Sequence, residues 1–147
     1  MTPFYLNVIL LPGAKFEMGR EEDAGYDLYS MIDTVIWPGK SQLIPVGIMT
    51  EFPKDWVGLV QDRSGMGIKG CMRQAGVIDS GFRGEWGVKL LNTGETELRI
   101  DRIDRNPAAK AIAQVVFVPR GKFPICYVQT LSESARGENW RGSTDKK

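Results

Sequence analysis

The sequence predicts an all-β domain, on three observations. Glycine (17) and proline (8) punctuate the 147 residues, the segments between them are short, and those segments are rich in Val, Ile, Leu and aromatic side chains. With 42% hydrophobic residues, a chain of this length buries one ordinary core, so a single domain is expected. In order, the strands read as Phe4–Leu11, Thr34–Trp37, Ser41–Pro45, Ile48–Phe52, Trp56–Asp62, Gly76–Asp79, Trp86–Asn92, Glu97–Ile100, Ile112–Val118 and Ile125–Gln129. Pro38-Gly39, Pro53, Thr93-Gly94 and Asn106-Pro107 stand where turns belong. The Ala108–Gln114 run contains good helix formers but passes straight into Val115-Val116-Phe117-Val118, so it reads as a turn feeding a buried strand. From Arg136 to Lys147 the only large apolar residue is Trp140. The expected division is therefore one β domain over residues 1–135 and a tail over 136–147, ordered only by a ligand or a neighbour.

Charge and composition exclude several functions. The 19 Lys+Arg nearly balance the 18 Asp+Glu, leaving +1, so no field exists to condense on nucleic acid or an anionic membrane. The absence of histidine removes imidazole triads and imidazole metal sites, leaving carboxylates, hydroxyls, thiols, Lys, Arg or an oxygen-held metal for any catalysis. Cys71 and Cys126 lie far apart without CxxC spacing and read as two reduced, partly buried thiols. Phe4 to Leu11 is too short to span a membrane and has no positive leader before it, so a cytoplasmic protein is expected.

Two glycine motifs invite a misreading. Gly65-Met66-Gly67-Ile68-Lys69-Gly70 matches GxGxxG, but the dinucleotide site needs a helix starting at those glycines. Only Cys71 to Ala75 separate Gly70 from the next strand, too few for a crossover helix. Gly137 to Thr144 has a phosphate-loop outline, yet Ser143 stands where the lysine is required and no helix can follow. What survives is a glycine-rich backbone flanked by Arg136, Arg141, Ser143 and Thr144, a supply of N–H and O–H donors suited to a polyphosphate.

Three further segments are less generic. Ala24-Gly25-Tyr26-Asp27-Leu28-Tyr29-Ser30 places an acid inside a strand-like stretch, and Arg63-Ser64-Gly65-Met66 ends a strand with a guanidinium and a hydroxyl. Gly76-Val77-Ile78-Asp79-Ser80-Gly81-Phe82-Arg83-Gly84-Glu85 carries an acid after a β-branched pair, then an aromatic in a glycine-flanked turn. A carboxylate there is costly unless a partner or a function holds it.

Together these segments resemble the five ordered motifs of the trimeric dUTPase family. AGYDLYS is similar to AGxDLxS, RSGM to RSGL, GVIDSGFRGE to GVIDxxYRGE, AIAQVVFVP to the RIAQ segment, and RGENWRGST to the glycine-rich RGxGGFGST. The resemblance spans nearly the whole chain. It implies a jelly-roll-like β fold, a homotrimer with active sites between subunits, Mg²⁺, and hydrolysis of dUTP to dUMP and pyrophosphate, with residues 136–147 as a lid. By motif match, Asp79 would orient the attacking water as general base, and Asp27 would hold water ligands of a Mg²⁺ chelated by the triphosphate. Ser64 and the Gly65 N–H would donate to the α/β bridging oxygen, Gln114 would contact phosphate, and Arg63 would pair structurally with a carboxylate across the interface. Backbone groups of Ala75, Gly76, Val77 and Ile78 would read uracil, and Phe82 would pack under the sugar and exclude a 2′-hydroxyl. Arg136, Gly137, Gly142, Ser143 and Thr144 would reach the phosphates, with Trp140, favoured over Arg141, covering the base.

The match has departures. Phe82 replaces the usual Tyr, Gly81 the usual acid, Asp62 a Pro and Ala111 an Arg, leaving Lys110 or Asp62 to take up charge pairing around Arg63. The segment from Ser64 to Asp79 is slightly short, implying a trimmed hairpin. Two rival readings follow: a dCTP deaminase relative, disfavoured because Lys89 stands where that family carries its glutamate, and a non-catalytic nucleotide-binding or regulatory protein on the same fold.

Overall fold

Twelve short strands and one helical turn follow one another along residues 5–137, the part of the chain that the computed structural model describes. They are β1 (Asn7–Leu10), β2 (Phe16–Met18), β3 (Tyr26–Leu28), β4 (Thr34–Ile36), β5 (Ser41–Pro45), β6 (Ile48–Glu51) and β7 (Trp56–Gln61). Then come α1 (Ser64–Gly67), β8 (Cys71–Gln74), β9 (Val77–Asp79), β10 (Gly87–Asn92), β11 (Leu98–Ile100) and β12 (Ala113–Pro119). All pairings are antiparallel: a five-stranded sheet in the order β2-β3-β12-β7-β9, a three-stranded sheet β5-β10-β8, and the pairs β1-β6 and β11-β4. Apart from β2-β3, neighbours in the sheets are not consecutive in sequence, which accords with a jelly-roll-like arrangement.

Alternation makes the core. In β10, Val88, Leu90 and Asn92 point inward while Gly87 and Lys89 face out, and Leu28, Val60 and Val115 of the large sheet join them in one cluster with Ile44, Ile48 and Trp86. Phe117 anchors one side, edge-on to Phe52 at 5.0 Å and to Tyr26 at 6.1 Å. Buried Asn92 is fully satisfied: its Nδ2 donates to the Ile36 and Thr96 carbonyls, each at 2.8 Å, and its Oδ1 accepts from Gly94 N at 2.9 Å.

Most expected strands form, with ends displaced by a few residues. The sequence gives no hint of β2 or β8, each short and interrupted by charged or polar residues. The Ser64–Gly67 segment is a single turn whose one buried residue is Met66, too short to be a dinucleotide helix. Ile125–Gln129 is not a strand. After β12, residues 120–137 have no regular secondary structure and are exposed throughout, with Phe123 86%, Ile125 80% and Tyr127 93% accessible. A strand needs an edge to pair with, and among the described residues none pairs with that segment. Among the described residues, no helix is long and apolar enough to cross a membrane.

Candidate active site

Across the large sheet, Asp27 of β3 stands opposite Gln114 of β12, which stands opposite Gln61 of β7. The close approach of β3 to β12 depends on Gly25, where a Cβ would lie 2.8 Å from the Val115 carbonyl oxygen and 3.2 Å from Gln114 Oε1. Arg63, just past β7, donates through Nη1 to Asp27 Oδ1, and the Asp27 side chain is only 13% accessible. Tyr29 donates to Asp27 Oδ2 at 3.5 Å; burial, and then the Asp27 charge, push its phenol above its ordinary value. Gln114 Nε2 donates to the Asp62 carbonyl at 3.1 Å. Ser64 and Gly65 open α1 beside this row, and with Asp23, Ala24 and Gly25 they close a polar cleft of about 220 Å³. An adjoining cleft of about 240 Å³ is lined by Arg63, Lys69 and Lys110 together with Gly65, Met66 and Ala111. One cleft therefore presents a clamped carboxylate, hydroxyl and amide donors, and the other presents cations, a combination suited to a polyphosphate.

Asp79 closes β9, on the same face of the large sheet as Asp27 but in a separate cleft. Its carbonyl accepts from Phe82 N at 3.0 Å, forming a turn that Arg83 braces by donating to the Ser80 carbonyl at 2.6 Å and the Phe82 carbonyl at 3.1 Å. Asp79 and Phe82 line a cleft of about 280 Å³ with Val77, Ile78, Glu85, Trp86 and Gly87. The Glu85 carboxylate accepts from Gly47 N at 3.1 Å and so fastens this turn to the β5–β6 connection. The hairpin expected at Ala75–Ile78 is instead a turn between two sheets, because β8 pairs with β10 and β9 with β7; the Ala75 and Gly76 carbonyls accept from Arg73 Nη1 at 2.7 Å and from Val60 N at 2.8 Å. Asp79 pairs with Val57, four positions along β7 from Gln61 and three strands across from Asp27. At sheet spacings that separates the two acids by about 20 Å.

The chain thus gathers Asp27, Arg63, Ser64, Gly65 and Gln114 in one place, and Val77, Ile78, Asp79 and Phe82 in another. Arg63 finds its carboxylate within its own chain, in Asp27, rather than needing one across an interface. Asp62 does not take up charge pairing with Arg63; it accepts Arg73 N at 2.7 Å, while Lys110 lines the cationic cleft. Arg136 and Gly137 lie at the exposed end of the described chain, and Trp140, Arg141, Gly142, Ser143 and Thr144 lie outside the described residues. Arg73 and Asp23 were not singled out by the sequence, because each reads as an ordinary polar residue of a strand or loop. Of the cysteines, Cys71 is buried as expected, whereas Cys126 is exposed because its segment leaves the core. Among the described residues, no three acids or cysteines gather as a metal cage.

Antiparallel sheets closed over one core, with separate polar and cationic clefts at their edges, define an all-β protein of the jelly-roll-like class. Comparison with known proteins makes the class specific. The dUTPase family model matches residues 13–145. The chain is 38% identical to the deoxyuridine 5'-triphosphate nucleotidohydrolase of Clostridium tetani (strain Massachusetts / E88), with 99% of this chain and 100% of that protein covered. It is 40% identical to the Variola virus protein of the same name, over 82% and 78% of the two chains. Among solved structures, the Staphylococcus bacteriophage 80alpha dUTPase with dUPNHPP shares 27% identity at a TM-score of 0.84, over 95% of this chain and 97% of that one. This chain belongs to the dUTPase family.

Proposed function

We propose that this protein hydrolyses dUTP to dUMP and pyrophosphate, with Mg²⁺ accompanying the triphosphate, at sites shared between the copies of a homotrimer. The observation that carries the reading is the division of the motif residues between an Asp27 cleft and an Asp79 cleft on one chain. The attacking water and an ion chelated by the same triphosphate belong side by side, so a second copy must bring its Asp79 cleft to the Asp27 cleft of the first. The exposed Phe123, Ile125 and Tyr127 of the segment after β12 support association, being apolar surface that a second copy can cover.

Within such a site, the Asp79 carboxylate accepts a hydrogen bond from the water, orients it in line with the α-phosphorus and takes its proton. Ser64 Oγ and the Gly65 N–H donate to the α/β bridging oxygen, where charge grows as the bond breaks. Gln114 offers its amide to the phosphates, as do Arg136, Gly137, Gly142, Ser143 and Thr144. The Ala75–Ile78 backbone pairs with uracil and leaves cytosine with mismatched donors, Phe82 packs under deoxyribose, and Trp140 covers the base. Asp27 suits Mg²⁺ because that ion keeps most of its waters and takes few protein ligands, and this cleft offers a carboxylate rather than a cage. When bound, the ion neutralises charge on the triphosphate. Two free cysteines accord with a cytosolic location. Lys89, facing out from β10, carries no carboxylate for a deaminase proton shuttle.

Pyrophosphate release from dUTP in the presence of Mg²⁺ tests the reading directly. Release that is abolished in Asp79→Asn is expected; an Asp79→Asn protein with most of its kcat would overturn the assignment.

A further inference from the structure

Arg73 of β8 is half-buried at the root of the tight turn, Ala75-Gly76, that carries the chain from β8 in the three-stranded sheet to β9 in the five-stranded one. The backbone there is unusual: Ala75 has φ +64° and Gly76 has φ +127°. Alanine does not hold the left-handed region unaided, because its Cβ crowds the following carbonyl. Glycine accepts its own φ freely, but it is pressed against β7. A Cβ at position 76 would stand 3.0 Å from Val60 Cβ, and the Gly76 carbonyl accepts from Val60 N at 2.8 Å.

Arg73 braces this turn between the sheets. Its Nη1 donates to the Ala75 carbonyl at 2.7 Å, its Nη2 to Gln61 Oε1 at 3.4 Å, and its backbone N to Asp62 Oδ1 at 2.7 Å. Its Cδ lies 3.5 Å from the place a Gly76 Cβ would occupy, and its Nε is buried with no hydrogen-bond partner among the described residues. A desolvated, unmatched donor is a cost, so this position is not one the guanidinium takes for its own solvation. The same contacts lead onward to the other cleft. Asp62 accepts Gln114 Nε2 through its carbonyl, and Gln61 faces Gln114, which faces Asp27.

We propose that Arg73 is a positioning residue for base selection: by clamping the Ala75 carbonyl it fixes the Ala75–Ile78 backbone in the geometry that pairs with uracil and mismatches cytosine. The assignment rests on the reading of that turn given above. Backbone recognition discriminates only while its donors and acceptors stay fixed, and a turn released from the left-handed region presents them elsewhere.

The test measures kcat and KM for dUTP and dCTP, with thermal unfolding, in the wild type, Arg73→Gln and Arg73→Lys. A wild type that does not favour dUTP overturns the reading of the turn itself. With that preference in hand, Arg73→Gln is expected to raise KM for dUTP about tenfold and to lower the dUTP-over-dCTP ratio of kcat/KM by about as much. Its kcat should stay within about threefold. Arg73→Lys, whose ammonium reaches one acceptor where the fork reaches two, should fall between. Wild-type KM and ratio in Arg73→Gln overturn the proposal, as does a fall in kcat and unfolding temperature with the ratio unchanged, which is a plain structural role. Should Arg73→Gln not fold, Arg73→Lys decides: intermediate KM and ratio support the proposal, and wild-type values overturn it.

Discussion

Asp27 shows what a single side chain needs in order to keep a charge half inside a protein. Arg63 holds one of its oxygens and Tyr29 reaches the other, so the carboxylate has partners before any ligand arrives. Cys71 illustrates the opposite policy, a titratable group kept neutral. It is 1% accessible, and burial, followed by the charge of Asp62, pushes its thiol from the ordinary 9.0 up to about 11. Because the folded value lies above the unfolded one, the contribution of Cys71 to stability is complete below about pH 9 and is lost as pH rises towards about 11. Urea midpoints measured from pH 8 to 11 should therefore fall more steeply for the wild type than for Cys71→Ala, even though the variant starts lower for want of packing. Equal slopes would remove Cys71 from the account.

At the scale of elements, the strands that were legible are the longer ones: β10 buries every second residue over its six positions, and β7 and β12, of six and seven residues, each bury an alternating pair, Gly58 and Val60, Ala113 and Val115. β2, with three residues, offers too little pattern. Ile125–Gln129 has the composition of a strand, but pairing is a property of two segments, and among the described residues none pairs with it. The motif residues were legible because five ordered segments resemble those of the dUTPase family, which singles out Asp27, Ser64, Asp79 and Gln114 by position. Arg73 was not, because its importance comes from Ala75, Gln61 and Asp62, which only folding brings to it. The C-terminal segment tests how far element and function separate. Its sequence offers almost no apolar residue to bury, so a chain ending at Ser134 should unfold at nearly the wild-type temperature. Its kcat/KM for dUTP should fall by about a hundredfold or more if the lost donors and base cover are worth roughly 3 kcal/mol at the transition state. Full turnover by the shortened chain would show that the fifth motif is no lid.

For the whole molecule, the decisive quantity is the distance between the two acids, which no motif reveals. An ordered set of motifs announces one site, yet the sheet carries Asp27 and Asp79 to different clefts. Site-sharing makes a numerical prediction. Asp27→Asn and Asp79→Asn should each be inactive alone, but co-expressed in equal amounts they should regain about a quarter of wild-type activity, the share of sites that draw each acid from an intact copy under random assortment. Continued silence of the mixture, with trimers confirmed by light scattering, would put both acids on one chain.

Under the homotrimer proposed above, the exposed stretch after β12 also bears on the life of the chain before assembly. A newly made chain carries Phe123, Ile125, Tyr127 and Leu131 in the open. Such a chain is the form that chaperones bind, proteases cut and aggregates recruit. Its half-life in the cell then depends on how fast it meets its own kind, so scarce expression is penalised twice: fewer encounters, and more loss between them.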